Sequence, residues 1–126
     1  MEEKDLEKEI QAKGANVAPR ITPADIEANI ASESYFTAAD GVRGASVGKP
    51  GESLIPEYVT YEGSPLSLLT LCVLVLRNGF TVTGESACAS PENFNAELGR
   101  KIARQNAVQK IWPLLGFALK ERLAAA

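Results

Sequence analysis

A chain of 126 residues with 45% hydrophobic and 23% charged side chains has room for one core, and with only 6% aromatics that core is mainly aliphatic. It contains no histidine and two cysteines; this excludes a histidine-dependent catalytic triad and leaves too few ligands for a zinc site, so no metal or other cofactor is expected. The net charge of −3 is unevenly placed, −6 over residues 1–62 and +3 over residues 63–126, which suggests contact between the two halves or an anion site in the second.

Residues 1–19 open on Met1-Glu2-Glu3-Lys4-Asp5 and offer Leu6 and Ile10 as their main apolar anchors. They read as a frayed helix or a flexible tail and lack the apolar stretch of a signal peptide. The longest apolar run, Leu66 to Leu76, is about half the ~20 residues a membrane helix needs, so a cytoplasmic protein with reduced thiols is expected, away from any membrane.

Thr22-Pro23-Ala24-Asp25 carries a helix start: a hydroxyl for the cap, proline at the first helical position and an acid in the first turn. Ile26 and Ile30, four apart, extend that helix to about residues 23–33. Beyond it, Tyr35 and Phe36 could fill the core, and Asp40-Gly41 reads as a turn. From Arg43 to Pro65 the glycines and prolines predict a long mobile loop, with one strand-like patch near residues 57–61.

The strongest local signal is a β-hairpin over about residues 68–77 and 80–87. Asn78-Gly79 suits a two-residue type I′ turn, which needs positive φ at both positions. That turn sets Val75 opposite Val82, Leu74 opposite Thr83 and Cys72 opposite Glu85. One face then holds Leu71, Val73, Val75, Val82 and Gly84. The other mixes Leu74 and Leu76 with Thr81, Thr83 and Glu85. The first strand is apolar on both faces, which predicts a helix over one side and a partner over the other, hence a homo-oligomer, dimer or higher. Ser90-Pro91-Glu92-Asn93 then starts a long helix by the same cap logic. Phe94, Leu98 and Ile102, with Ala103, Ala107 and Val108, form its apolar face, and Arg100, Lys101, Arg104, Gln105 and Lys110 lie opposite. Pro113 is expected to break or kink it. The fold class is α+β: a short N-terminal helix, a central antiparallel hairpin with an extra strand, and a long C-terminal helix. Residues 20–126 are expected to form a single domain.

Five blocks carry a resemblance: Ile21-Thr22-Pro23-Ala24-Asp25-Ile26-Glu27, Tyr35-Phe36-Thr37-Ala38-Ala39-Asp40-Gly41, the hairpin from Leu71 to Cys88, Gly99-Arg100-Lys101-Ile102-Ala103-Arg104, and Lys110-Ile111-Trp112-Pro113-Leu114. Together they resemble a family of small phage and prophage proteins, the one named for gene product forty-nine of a podophage and gene product sixty-six of a Shigella phage, over about residues 20–123. The resemblance implies a phage origin and an accessory role; with the cytoplasmic expectation above, this places the protein in the cytoplasm of the infected host. It implies no mechanism.

Chemistry is densest from Gly84 to Pro91, where a carboxylate, hydroxyls and a thiol sit at a strand end before a helix. The sharper reading is an anion cradle: Glu85, Ser86 and Ser90 beside the helix amides, with Arg77, Arg100, Lys101 and Arg104 supplying positive charge. Tyr35, Phe36 and Trp112 could stack on a planar ligand. The plainer reading makes Ser90 a cap, Cys88 a small core residue, the basic residues a solvated face with a Glu97–Lys101 pair, and the aromatics core filler. The glycines at 41, 44 and 48 make no phosphate loop, because no Gly-Lys-Ser or Gly-Lys-Thr follows. Few basic residues in an acidic chain argue against duplex nucleic acid. The leading functional expectation is a non-enzymatic binding module that captures a small anionic ligand, such as a nucleotide defence signal, or a host protein. The alternatives are a structural or protein-interaction component of the phage, a nucleic-acid-associated early protein and, weakest, a Cys88 enzyme paired with Glu85, which lacks a histidine base.

Overall fold

Asn78-Gly79 does turn the apolar ribbon back on itself, and the rest of the chain is arranged around that hairpin. The computed structural model describes residues 2–46 and 61–126. Its elements are α1 (Glu3–Ala12), α2 (Pro23–Ala28), β1 (Ile30–Thr37), α3 (Ala38–Ser46), β2 (Leu69–Leu76), β3 (Thr81–Ala87) and α4 (Ala96–Ala125). The three strands form one antiparallel sheet in the order β1-β2-β3, and α4 lies across one of its faces. This is the α+β architecture expected, with the hairpin and the long C-terminal helix in place.

The third strand comes from an unexpected stretch. α2 begins as its sequence dictates: Thr22 Oγ1 accepts from Asp25 N–H, Asp25 Oδ2 accepts from Thr22 N–H, and Pro23 is the first helical residue. It stops at Ala28 rather than continuing to residue 33, and Ile30–Thr37 is strand. The run Ser32-Glu33-Ser34-Tyr35-Phe36-Thr37 is poor in strong helix formers, and the free edge of β2 offers it a full ladder. The strand-like patch near 57–61 lies outside the described residues except for Tyr61, whose carbonyl accepts from Ser64 N–H in a turn. Asp40-Gly41, expected as a turn, instead lies in the first turn of helix α3. Thr37 and Asp40 cap it reciprocally, each side chain accepting from the other's N–H.

The hairpin register differs from the expected one by a single residue. Gly79 N–H donates to the Leu76 carbonyl, and Leu76 N–H donates to the Phe80 carbonyl, so the loop is Arg77-Asn78-Gly79. Gly79 has φ of 90°, and no described non-glycine residue has positive φ. A type I′ turn needs two such residues; a three-residue turn closed by a left-handed glycine needs one. Val75 therefore faces Thr81, Leu74 faces Val82 and Cys72 faces Gly84. One residue of slip moves every side chain of the return strand to the other face. The covered face holds Thr70, Cys72, Leu74, Leu76, Val82 and Gly84, while Leu71, Val73 and Val75 share the opposite face with Thr81, Thr83 and Glu85.

α4 is also rotated from expectation. Leu98 and Ile102 are 55% and 39% exposed, while Gly99, Ala103, Ala107 and Ile111 are buried against the sheet. The small residues at spacing four bring the helix backbone down onto β3, a closeness that leucines at those positions would prevent. Ile26, Cys72, Leu74, Leu76, Val82, Ala103, Ala107, Val108 and Ile111 make the core. Pro113 lies inside α4 without ending it. Proline brings no N–H to the Gln109 carbonyl, which is the reason to expect a bend at that turn. Among the described residues no helix is long and apolar enough to cross a membrane.

Candidate functional site

The predicted cradle at residues 84–104 does not assemble. Ser90 and Pro91 open only a single 3-10 turn, Pro91–Asn93, and the Ser90 side chain makes no cap bond. The cap of α4 is Asn95, whose Oδ1 accepts from Leu98 N–H at 2.9 Å. Ser90 is thus one short turn away from the helix amides it was expected to flank. Glu85 projects from the face opposite α4 and accepts from the Thr83 hydroxyl. Ser86 lies opposite Thr70 on the α4 side, Cys88 Sγ donates to the Ser90 carbonyl, and Lys101 pairs with Glu97 at 3.3 Å on an open surface. Arg100 does meet the expected aromatic pair. With Tyr35, Phe36, Phe94 and Asp40 it lines a cleft of about 100 Å³.

Arg104 serves as a clasp. Its Nη2 donates to both carboxylate oxygens of Glu27, at 3.0 and 2.9 Å, and its Nε donates to Glu33 at 3.1 Å. The Tyr35 hydroxyl donates to the same Glu33 oxygen. That hydroxyl bond, reinforced by Arg104 and opposed by burial, holds the Glu33 carboxyl below the usual carboxylate range. Burial, then the bond to Glu33, pushes the Tyr35 phenol up, and burial also raises the adjacent Cys72 thiol. The bond to Glu27 raises Arg104 further above its ordinary value. A guanidinium engaged by two carboxylates from α2 and β1 joins the acidic front half of the chain to the basic back half. It is not available to a ligand.

Trp112 has a partner of a different kind. Its Nε1–H donates to Glu3 Oε1 at 3.0 Å, and Gln109 donates to the same oxygen at 3.2 Å. Arg20 grips Glu7 through two bonds of 2.8 and 2.5 Å. These contacts seat α1 over a cavity of about 270 Å³ walled by Leu6, Ile10, Ile21, Pro23 and Trp112. No residue of α1 is fully buried, so these polar bonds carry a large share of its docking beside the apolar contacts of Leu6 and Ile10. Glu3→Ala is therefore expected to loosen α1 and red-shift the emission of Trp112, the chain's one tryptophan, with little change in global unfolding. An unshifted spectrum would show that α1 is held by other contacts.

Larger concavities lie between the hairpin tip and the C-terminal half of α4, and the sequence marks only one of their residues. Two adjoining cavities of about 550 and 420 Å³ share Asn29, Arg77, Leu115 and Arg122. Arg77 sits here because it opens the hairpin turn. Its Nε donates to the carbonyl of Ala28 at the end of α2, where a cation suits the negative helix terminus. Leu115, Leu119 and Arg122 follow at i, i+4 and i+7 along α4, so they share a stripe facing the hairpin tip. That spacing was the available signal for Arg122, but nothing in it shows that Arg77 stands opposite. Arg20, Arg43 and Arg104 each pair with a carboxylate. Arg122 has no partner among the described residues, and Arg77 has none beyond backbone carbonyls.

No curated protein and no solved structure matches the chain. Residues 21–123 match the family model described as Phage protein (N4 Gp49/phage Sf6 gene 66) family. That span takes in α2, the whole sheet and all but the last residues of α4, leaving α1 outside, so the chain belongs to this family of phage proteins.

Proposed function

We propose that this phage protein is a non-enzymatic binding module that captures a small anionic ligand in the cleft between the hairpin tip and the C-terminal half of α4, in the cytoplasm of the infected host. The observation that carries the reading is the pair Arg77 and Arg122, two guanidiniums without carboxylate partners among the described residues, on one concave surface of a chain whose net charge is −3. Guanidinium forks suit carboxylate and phosphate groups, and an apolar wall at Leu115 and Leu119 lowers the competition from water. The lack of a histidine and the engagement of Arg104 and Glu33 with each other favour capture over chemistry. Thermal unfolding with inorganic phosphate, mononucleotides and cyclic nucleotides tests it. A bound anion at 100 times its dissociation constant adds about 2.7 kcal/mol of stability. That shift should vanish in the Arg77→Ala/Arg122→Ala double variant, and no shift with any anion would overturn the reading.

A second reading, of a protein that works as a homo-oligomer, is favoured by the sheet face opposite α4. There Leu71, Val73, Val75 and Phe36 form an apolar strip bordered by Ser32, Ser34, Thr81 and Thr83. With Glu85 as the one charged residue in these ladders on that face, two copies could pack strip to strip without opposing many like charges. Light scattering should then report a dimer that Val73→Asp dissociates. A wild-type chain monomeric across concentration would sink it.

A further inference from the structure

Resting on the anion-binding reading above, we infer that the ligand is an amphiphile, with one anionic head held between Arg77 and Arg122 and an aliphatic or aromatic body laid along the hairpin-tip limb of the cleft. The two limbs differ in chemistry. The hairpin-tip limb is walled by Leu76, Phe80, Leu114, Leu115 and Ala118; its polar lining is Asn29, Asn78 and the two arginines, with no carboxylate among the described residues. Phe80 and Leu114 are 56% and 37% exposed, large apolar side chains left to water on a concave wall, where an apolar ligand body would cover them. The other limb contains the Asp25 carboxylate, and its Arg20 is already committed to Glu7. A second anionic group extending that way from the shared arginines would meet a negative charge with no free cation beside it among the described residues. The charge pattern therefore selects one compact head over a polyanion such as a nucleoside triphosphate, and the apolar limb selects a tail over a free inorganic ion.

Burial of each methylene is worth about fourfold in affinity at ordinary hydrophobic transfer values. The test titrates the full chain with inorganic phosphate, butyl phosphate, hexyl phosphate, octyl phosphate and octanoate, all below their aggregation limits, and with octanol as the uncharged control. Affinity should rise about fourfold per methylene along the phosphate series, octanoate should bind, and octanol, which has the tail without the head, should bind far more weakly than octyl phosphate. Phe80→Ala should flatten the chain-length dependence, and Arg122→Ala should weaken both octyl phosphate and octanoate. Phosphate or nucleotide binding that is indifferent to chain length overturns the amphiphile while leaving the anion site intact. Octanol binding as well as octyl phosphate overturns the anion site itself, and no binding by any probe overturns both. Co-sedimentation with phosphatidylglycerol vesicles, without binding of monomeric octyl phosphate, would replace a free amphiphile by a membrane surface and overturn the proposal.

Discussion

Gly84→Ala is expected to lower stability by about 4 kcal/mol, enough to unfold much of the population at 37 °C or to drop the melting temperature by roughly 15 °C. A β carbon at Gly84 would lie 2.1 Å from the Ala103 carbonyl oxygen, 2.2 Å from the Ala107 nitrogen and 2.9 Å from the Ala107 Cα. These are helix backbone atoms, so no side chain can swing aside. The whole of α4 would have to lift by more than 1 Å, and Ala103, Ala107 and Ile111 would lose contact with Cys72, Leu74 and Val82. Ordinary overpacking costs about 1–3 kcal/mol where side chains can adjust, and a backbone-on-backbone clash should exceed it. Gly116→Ala supplies the contrast: it lies in the same helix with nothing within 4 Å of the added carbon. The gain in helix propensity there should be about 0.5–1 kcal/mol. Urea unfolding of the two variants checks both signs. If Gly84→Ala proves as stable as wild type, α4 is not seated on β3 as described.

The same close approach explains why parts of the fold were legible and others were not. Cap chemistry is local, so Thr22-Pro23-Ala24-Asp25 announced α2, and Asn78-Gly79 announced the hairpin. What depended on the far side of an interface was lost. Leu98 and Ile102 resemble a core stripe by size and spacing, but the deciding feature is a glycine on the facing strand, Gly84, that admits Ala103 and Ala107 instead. The register failed by one because Arg77 joins the turn, a choice set by the φ of a single glycine. β1 failed because Ile30 to Thr37 becomes strand only when β2, about forty residues on, presents an edge. The site residues follow the same rule. Arg104 is 77 residues from Glu27 and 71 from Glu33, so no spacing revealed the clasp, and Arg122 meets Arg77 only through the packing of α4.

Arg104→Ala is expected to cost about 2 kcal/mol, between the ~0–1 of an exposed ion pair and the 3–5 of breaking a fully buried one. The arginine side chain is 29% exposed, but Glu27 and Glu33 are 55% and 41% exposed, so solvent screens much of the interaction and the upper figure does not apply. Arg104→Lys should recover less than half, because a single ammonium cannot address two carboxylates from α2 and β1 with the geometry of a fork. The pH dependence carries a clearer signature than the magnitude. Glu33 is lowered in the folded protein, so its contribution is fully present above the unfolded value, about 4.3, and is lost as pH falls through the folded value beneath it. Tyr35 and Cys72 are raised, so their contributions are present below the unfolded values, about 10 and 8.5, and decline as pH rises from there toward the folded ones. Urea midpoints from about pH 3 to 10 should therefore trace a plateau with two falling limbs. Arg104→Ala makes the acid limb shallower, and Tyr35→Phe, which removes the hydroxyl bond that lowers Glu33 most, makes it shallower still while also reducing the alkaline limb. An acid limb unchanged in both variants would mean that Glu33 is not the group whose protonation opens the clasp, and that α2 and β1 are held to α4 by apolar packing alone.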